Sequence, residues 1–274
     1  MTETPPTPSE SKAQVGLFVT CPVDLVRPSI GFASATLLER AGCEVHVPPQ
    51  SCCGQVAFNN GQPEEARALA WNIVQQFERY DYVVLPSGSC GGTMKTHYPE
   101  LFDEYDPRRK AVKAFCEKVY ELTTFLTDVL DYSPAQTALD LSAQSVTYHD
   151  SCGGLRELNI KQQPRTLLKR CANLDVTEMQ DTDVCCGFGG TFCVKYSDVS
   201  NRMVSNKVDN IRRSGASMVL GGDLSCLLNI AGRLQRLEPD NPNRVQVRHI
   251  AEVLAGELNT PAIGEHSPAL EKGE

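Results

Sequence analysis

The sequence predicts an α/β fold of two pseudo-symmetric lobes, built from an internal repeat, each a small, mostly parallel sheet flanked by helices. Three observations carry the prediction. One cysteine signature is written twice, as Cys21, Cys52-Cys53-Gly54 and Cys90, then as Cys152, Cys185-Cys186-Gly187 and Cys226. The lone Cys precedes the pair by 31 residues in the first copy and 33 in the second, and the last Cys follows it by 37 and 40. Short apolar runs alternate with segments of helical periodicity in both copies, the pattern of parallel sheets. The cysteines fall at or just after the ends of the apolar runs, where sheets of this kind place their ligand sites. An offset of 131 residues between the copies, in a chain of 274, divides it into a first lobe at 14–134, a linker at 135–145 and a second lobe at 146–258.

Residues 1–13 and 259–274 are rich in Thr, Pro, Ser and Glu, the composition of disordered tails. Val15-Gly16-Leu17-Phe18-Val19-Thr20 is an apolar run ending at Cys21, the pattern of a buried strand. Residues 28–41 carry apolar positions at helical spacing and close at Gly42; a second strand over 43–47 delivers the chain to the first Cys-Cys-Gly. A helix with proline in its first turn follows over 63–80, then the strand Tyr82-Val83-Val84-Leu85, opening into a glycine-rich segment around Cys90. The stretch 107–130 has helical character, and Pro134 with its small polar neighbours marks the linker. The second lobe repeats the order: strand 146–149, helix 164–171, strand 174–179, the second Cys-Cys-Gly, helix 197–214 and strand 217–220 leading to Cys226.

A formal charge of −8 argues against a nucleic-acid or anionic-membrane surface, since phosphate binding needs clustered positive charge. No run approaches the eighteen apolar residues of a membrane span, and the acidic, proline-rich N-terminus lacks the features of a signal peptide, so the expected location is cytoplasmic. Twelve cysteines in a large chain of that kind point to metal ligation or redox work rather than a disulfide scaffold.

Thiolates are the ligands that iron–sulfur clusters require, and a cluster needs them to converge from several loops. Adjacent cysteines in extended backbone point to opposite faces; they serve one site only through a turn, which Gly54 and Gly187 permit, or by binding different irons of one extended cluster. The expected ligand sets are Cys21, Cys52, Cys53 and Cys90 for one site and Cys152, Cys185, Cys186 and Cys226 for the other. Structural zinc also favours four thiolates, so zinc at one site is the rival reading. Cys43, Cys116 and Cys171 suit core packing, as does Trp71 within its helix. Cys193, seven residues after Cys186, is a spare ligand or reactive thiol in a minority reading. His149 either caps its strand or faces the metal as a hydrogen-bond donor or proton carrier. Asp24, Arg27, Arg156 and Glu157 lie in the loops after the lone cysteines, where solvation is the default. Gly187-Phe188-Gly189-Gly190 lacks the spacing of a dinucleotide-binding loop.

The chain resembles the cysteine-rich CCG domain family of iron–sulfur proteins, which includes a component of heterodisulfide reductase and the iron–sulfur subunit of glycolate oxidase. Within it, Leu17-Phe18-Val19-Thr20-Cys21-Pro22-Val23-Asp24, Cys52-Cys53-Gly54-Gln55, Pro86-Ser87-Gly88-Ser89-Cys90, Cys185-Cys186-Gly187-Phe188-Gly189-Gly190-Thr191-Phe192 and Cys226-Leu227-Leu228-Asn229-Ile230 resemble the lactate-utilisation protein A subfamily, over residues 15–254. The resemblance implies an electron-transfer subunit of a multi-protein system that oxidises L-lactate, or a related 2-hydroxy acid, to the 2-oxo acid, with other iron–sulfur proteins as partners and no catalytic residue of its own. A cluster-based disulfide or thiol reductase and a zinc-bound scaffold assembling redox partners are the alternatives. The heterodisulfide reductase branch ends each copy in two cysteines, where this chain has Ser87 and Asp223 as the first of each pair, and the lactate branch has a further Cys where this chain has Leu224. Four thiolates per site remain, enough for a [4Fe–4S] cubane and short of a five-sulfur set.

Overall fold

The computed structural model describes residues 12–133, 141 and 144–265. Most of the expected N-terminal tail, most of the linker and residues 266–274 lie outside the described residues. The first lobe is a four-stranded parallel sheet of β1 (Gln14–Leu17), β2 (Glu44–His46), β3 (Tyr82–Leu85) and β4 (Val119–Glu121), in the order β2-β1-β3-β4. The second lobe pairs β5 (Val146–His149), β6 (Met218–Gly221) and β7 (Gln246–His249), all parallel, with Val176 bridging to Val146 on the outer side of β5. Val176 therefore stands where β2 stands in the first lobe, and the strand order repeats. Strands buried on both faces by helices need continuous apolar runs, which Val83-Val84-Leu85 and Met218-Val219-Leu220 supply.

Two expected elements differ. The stretch 107–130 is a helix only over Arg109–Glu117; the chain then forms β4 before helical turns resume from Leu122. Lys118 decides this: its carbonyl accepts from Val83 N–H (2.8 Å), and its Nζ closes the end of the preceding helical region by donating to the carbonyls of Phe77, Glu78 and Tyr80 (2.9, 2.6 and 2.8 Å). A three-residue strand is too short to break a helical period in the sequence. The expected strand 174–179 is a single bridge. Its first residue still closes the helix Gln162–Ala172, Leu174 N–H donating to Leu168 O after a left-handed Asn173, and Met179 turns back into the core. At the C-terminal end, residues 259–265 pack on the second lobe, past the boundary expected at 258. Ile263 N–H donates to Val247 O (2.8 Å), and Ala262 and Ile263 are buried.

The lobes share one apolar core, in which Val15, Leu17 and Val84 of the first meet Val146, Leu220 and Leu254 of the second. A second apolar cluster fills the outer half of the first lobe around Phe18, Phe77, Tyr98 and Phe115. The helix Ser29–Arg40 lies against the helix Ile250–Ala255, and the helix Gly88–Gly92 lies against the turn Gly153–Glu157. At this second contact the backbones touch. A Cβ on Gly88 would stand 2.6 Å from Ser151 Oγ and 2.7 Å from Gly154 N, and one on Gly153 would stand 2.8 Å from Ser89 Cα. Gly88→Ala and Gly153→Ala are each expected to lower stability by about 1–3 kcal/mol, because backbone must move to admit the methyl group. The denaturant midpoint should fall with an unchanged slope.

Candidate metal centre

Both Cys-Cys-Gly segments make the same turn. Gly54 and Gly187 each have φ of +85°, a conformation that costs residues other than glycine about 1–2 kcal/mol. The turn brings the glycine N–H back onto the first sulfur of its own pair, Gly54 to Cys52 Sγ (3.5 Å) and Gly187 to Cys185 Sγ (3.3 Å). A second set of side chains fixes each turn. Tyr98, wholly buried, donates to Cys53 O (2.8 Å); Asn229 donates to Cys186 O (2.9 Å) and Ser200 to Gly187 O (2.8 Å). Gly187→Ala is expected to be the more damaging exchange, since its Cβ would stand 2.8 Å from Ser200 O, while that of Gly54 would have 3.4 Å to Ala66 O. Metal content and thermal stability of the two variants check the order.

The remaining cysteines arrive from strand ends, as the repeat implies. Cys21 opens the helix Cys21–Val26 after Thr20, which holds the left-handed φ of +71° that a β-branched residue rarely adopts. Cys152 immediately precedes the turn Gly153–Glu157. Cys90 and Cys226 occupy the first turns of the helices that follow β3 and β6, each three residues after a capping side chain, Ser87 or Asp223. Those two caps also meet across the lobes. Asp223 Oδ2 accepts from Ser87 Oγ (3.1 Å) and Ser89 N–H (3.0 Å), while Oδ1 accepts from Ser225 N–H (3.2 Å). The positions that lack the extra cysteine thus tie the two halves together.

All eight repeated cysteines line one cavity of about 420 Å³ between the lobes. A water claims about 30 Å³, so the space far exceeds what a single ion needs. Within each quartet the sulfurs neighbour one another in chain order. Cys53 Sγ lies 3.4 Å from Cys90 Sγ. Hydrogen bonds from Cys21 and Cys53, with help from Gly54 N–H, hold the Cys52 thiol well below its ordinary value, and those from Cys152 and Cys186 do the same for Cys185. Those bonds and burial push Cys21, Cys53, Cys152 and Cys186 up. Thiols ligate metals as thiolates, so a metal that binds either quartet displaces the protons its thiols carry.

The other candidates separate. Cys43, Cys116 and Cys171 are buried in the core; burial pushes Cys116 up to about 12 and Cys171 to about 11. Cys193 lies outside the cavity wall, its Sγ donating to Gly190 O (3.2 Å). Arg27 is an inter-lobe ion-pair residue, held by Glu252, and Glu157 lines the cavity. His149 stands beside Cys186 and Cys226, and burial takes its imidazole down to about 3. Lys207, itself buried, donates to the carbonyls of Asp181 and Thr182 behind the second quartet.

Glu121, buried beside the inter-lobe contact and outside the cysteine cavity, is a titratable group with no motif to announce it. It ends β4 inside the protein, and its Oε2 accepts from Thr123 N–H (2.8 Å) and Thr124 N–H (3.2 Å). Burial raises its carboxyl to about 7, with the Asp223 charge adding to the shift. The folded protein then takes up this proton as pH falls through about 7, and the unfolded chain only near 4.5. Between those values the folded state binds more protons, so stability falls as pH rises through the window and levels above it. Glu121→Gln keeps an acceptor for the two N–H groups. It is expected to remove a pH-dependent term of the order of 3 kcal/mol, visible as a flatter denaturant midpoint between pH 5 and 8.

Among the described residues no helix is long and apolar enough to cross a membrane. The sequence matches the CCG cysteine-rich domain family twice, over residues 15–95 and 146–231, so each match contains one whole cysteine quartet. Lactate utilization protein A of Bacillus pumilus is 46% identical over 242 residues, covering 88% of this chain and 98% of that protein. The proteins of that name from Bacillus cytotoxicus and Anoxybacillus flavithermus are each 43% identical over the same shares. The twofold match, the duplicated turns and this near full-length similarity lead to one assignment: the chain belongs to the cysteine-rich CCG domain family, in its lactate utilization protein A group.

Proposed function

We propose that this chain is an iron–sulfur electron-transfer subunit of a multi-protein system oxidising L-lactate, or a related 2-hydroxy acid, to the 2-oxo acid. The observation that carries the reading is the pair of thiol quartets opening on one cavity, in a chain similar over nearly its full length to proteins named for lactate utilization. Cys21, Cys52, Cys53 and Cys90 would hold one centre, and Cys152, Cys185, Cys186 and Cys226 the other. The donor set fits such groups: four thiols per lobe, neighbours in sequence order, on the wall of a cavity with room for more than an ion. An iron–sulfur cluster, when bound, supplies reversible one-electron transfer. The chain's own residues orient the sulfurs through the two glycine turns, burying Cys53, Cys90 and Cys186 and leaving the other five partly exposed on the cavity wall.

Oxidation of the hydroxy acid itself belongs to a partner protein in this reading. Among the described residues lining the cavity the carboxylates are Glu157 and Asp223, and both oxygens of Asp223 are engaged by Ser87, Ser89 and Ser225. That leaves no matched acid and base for taking a proton and hydride from a hydroxy acid. Protein purified without air is expected to be coloured, to contain iron and acid-labile sulfide in similar amounts, and to give a paramagnetic signal on reduction. Colourless protein carrying two zinc ions and no sulfide overturns the reading.

A further inference from the structure

The lobes differ at the repeat position three residues before the lone cysteine, where the first has Phe18 and the second has His149. Phe18 is wholly buried and packs in the apolar cluster that contains Cys53 and Cys90. His149 ends β5 at 1% exposure, in as dry a place, and neither of its ring nitrogens has a hydrogen-bond partner. Buried polar groups are almost always paired, so an imidazole with two unpaired nitrogens points to a missing partner. The nearby cation does not supply it: Lys207 gives two of its three N–H donors to Asp181 O and Thr182 O and makes no bond to the ring.

Sulfur supplies the other side of the site. A ring nitrogen of His149, Cys186 Sγ and Cys226 Sγ all lie within 4.8 Å of one another. Nitrogen at about 2.0 Å and sulfur at about 2.3 Å from one tetrahedral metal stand about 3.6 Å apart, so a small closure brings all three onto one ion. We infer that His149 is a metal-ligating nitrogen donor of the second lobe's centre, so that the two lobes hold chemically different centres, one all-sulfur and one of mixed sulfur and nitrogen. The inference rests on the metal-centre reading above and adds a fifth donor to Cys152, Cys185, Cys186 and Cys226.

Anaerobic full-length protein, prepared with natural histidine and with ¹⁵N-histidine, tests it by pulsed paramagnetic resonance. X-ray absorption at the iron edge, or at the zinc edge if zinc is bound, counts nitrogen against sulfur donors. Expected is a strong nitrogen coupling on one centre that changes with the isotope, with one nitrogen donor in the second-lobe centre as a whole. His149→Phe, which copies the first lobe's residue, should lose that coupling and alter the signal of that centre alone. A metal-loaded wild type with no isotope-sensitive coupling and only sulfur donors overturns the inference and leaves the metal centres standing. Wild type that binds no metal overturns both. The isotope experiment needs no variant, so a poorly folding His149→Phe does not protect the inference.

Discussion

Replacing Cys186 and Cys226 together by serine is expected to halve the metal and sulfide content of the anaerobic protein, and Cys53→Ser with Cys90→Ser is expected to remove the other half. Each quartet hangs on its own glycine turn and its own strand ends, braced by Tyr98 in one lobe and Asn229 in the other. Losing two thiolates from one lobe leaves the opposite four in place. Serine keeps the size and a hydroxyl, but at neutral pH it stays protonated and is a poor ligand for soft metals. Assays of iron, zinc and sulfide per chain read the result directly. If either pair alone empties the protein, the shared cavity holds a single centre spanning both quartets, and the two-centre reading fails.

Glu252→Ala is expected to cost about 3–5 kcal/mol of stability, the largest effect foreseen away from the sulfurs. Glu252 is wholly buried and Arg27 is 11% exposed, and their pairing joins residues 225 apart in the chain. Arg27 Nε and Nη2 donate to the two carboxylate oxygens at 2.8 and 3.2 Å, Ser29 Oγ adds a third bond (2.7 Å), and Arg27 also donates to Pro261 O (2.7 Å). Removing the carboxylate strands a guanidinium between two helices with no counter-charge, the penalty that makes half-broken buried pairs so damaging. A double variant, Arg27→Met with Glu252→Leu, removes both charges and should recover most of the loss. Denaturant unfolding of the three proteins tests this; a double variant no better than Glu252→Ala would mean that packing, not the stranded charge, sets the cost.

Much of the site is written locally. The duplicated Cys-Cys-Gly and the apolar runs before each lone cysteine act within a few residues of one another, so spacing alone reveals them, whereas the capping role of Ser87 and Asp223 emerged only with the helices they start. Gly54 and Gly187 are legible for the same reason: adjacent cysteines need a turn, and the residue after them must accept a left-handed backbone. β4 is not legible, because three residues carry no period and Lys118 is committed by carbonyls 38–41 positions away. The strand expected at 174–179 fails for the converse reason, since its local pattern was met but the closing helix and the core took both of its ends.

The sequence by itself determined that this chain has two copies of one α/β unit, which four cysteines each copy presents at its strand ends, and which backbone turn lets paired cysteines work together. The tertiary structure decided that both quartets open on one cavity, that Asp223 reaches Ser87 and Ser89 across the lobes, that His149 is buried beside Cys186 and Cys226, and that Glu121 is buried between the lobes. These latter facts depend on contacts between residues more than a hundred positions apart, or on where burial falls once two sheets are packed. Short-range periodicity records which face of an element turns inward, and it holds no information about which distant element will meet that face.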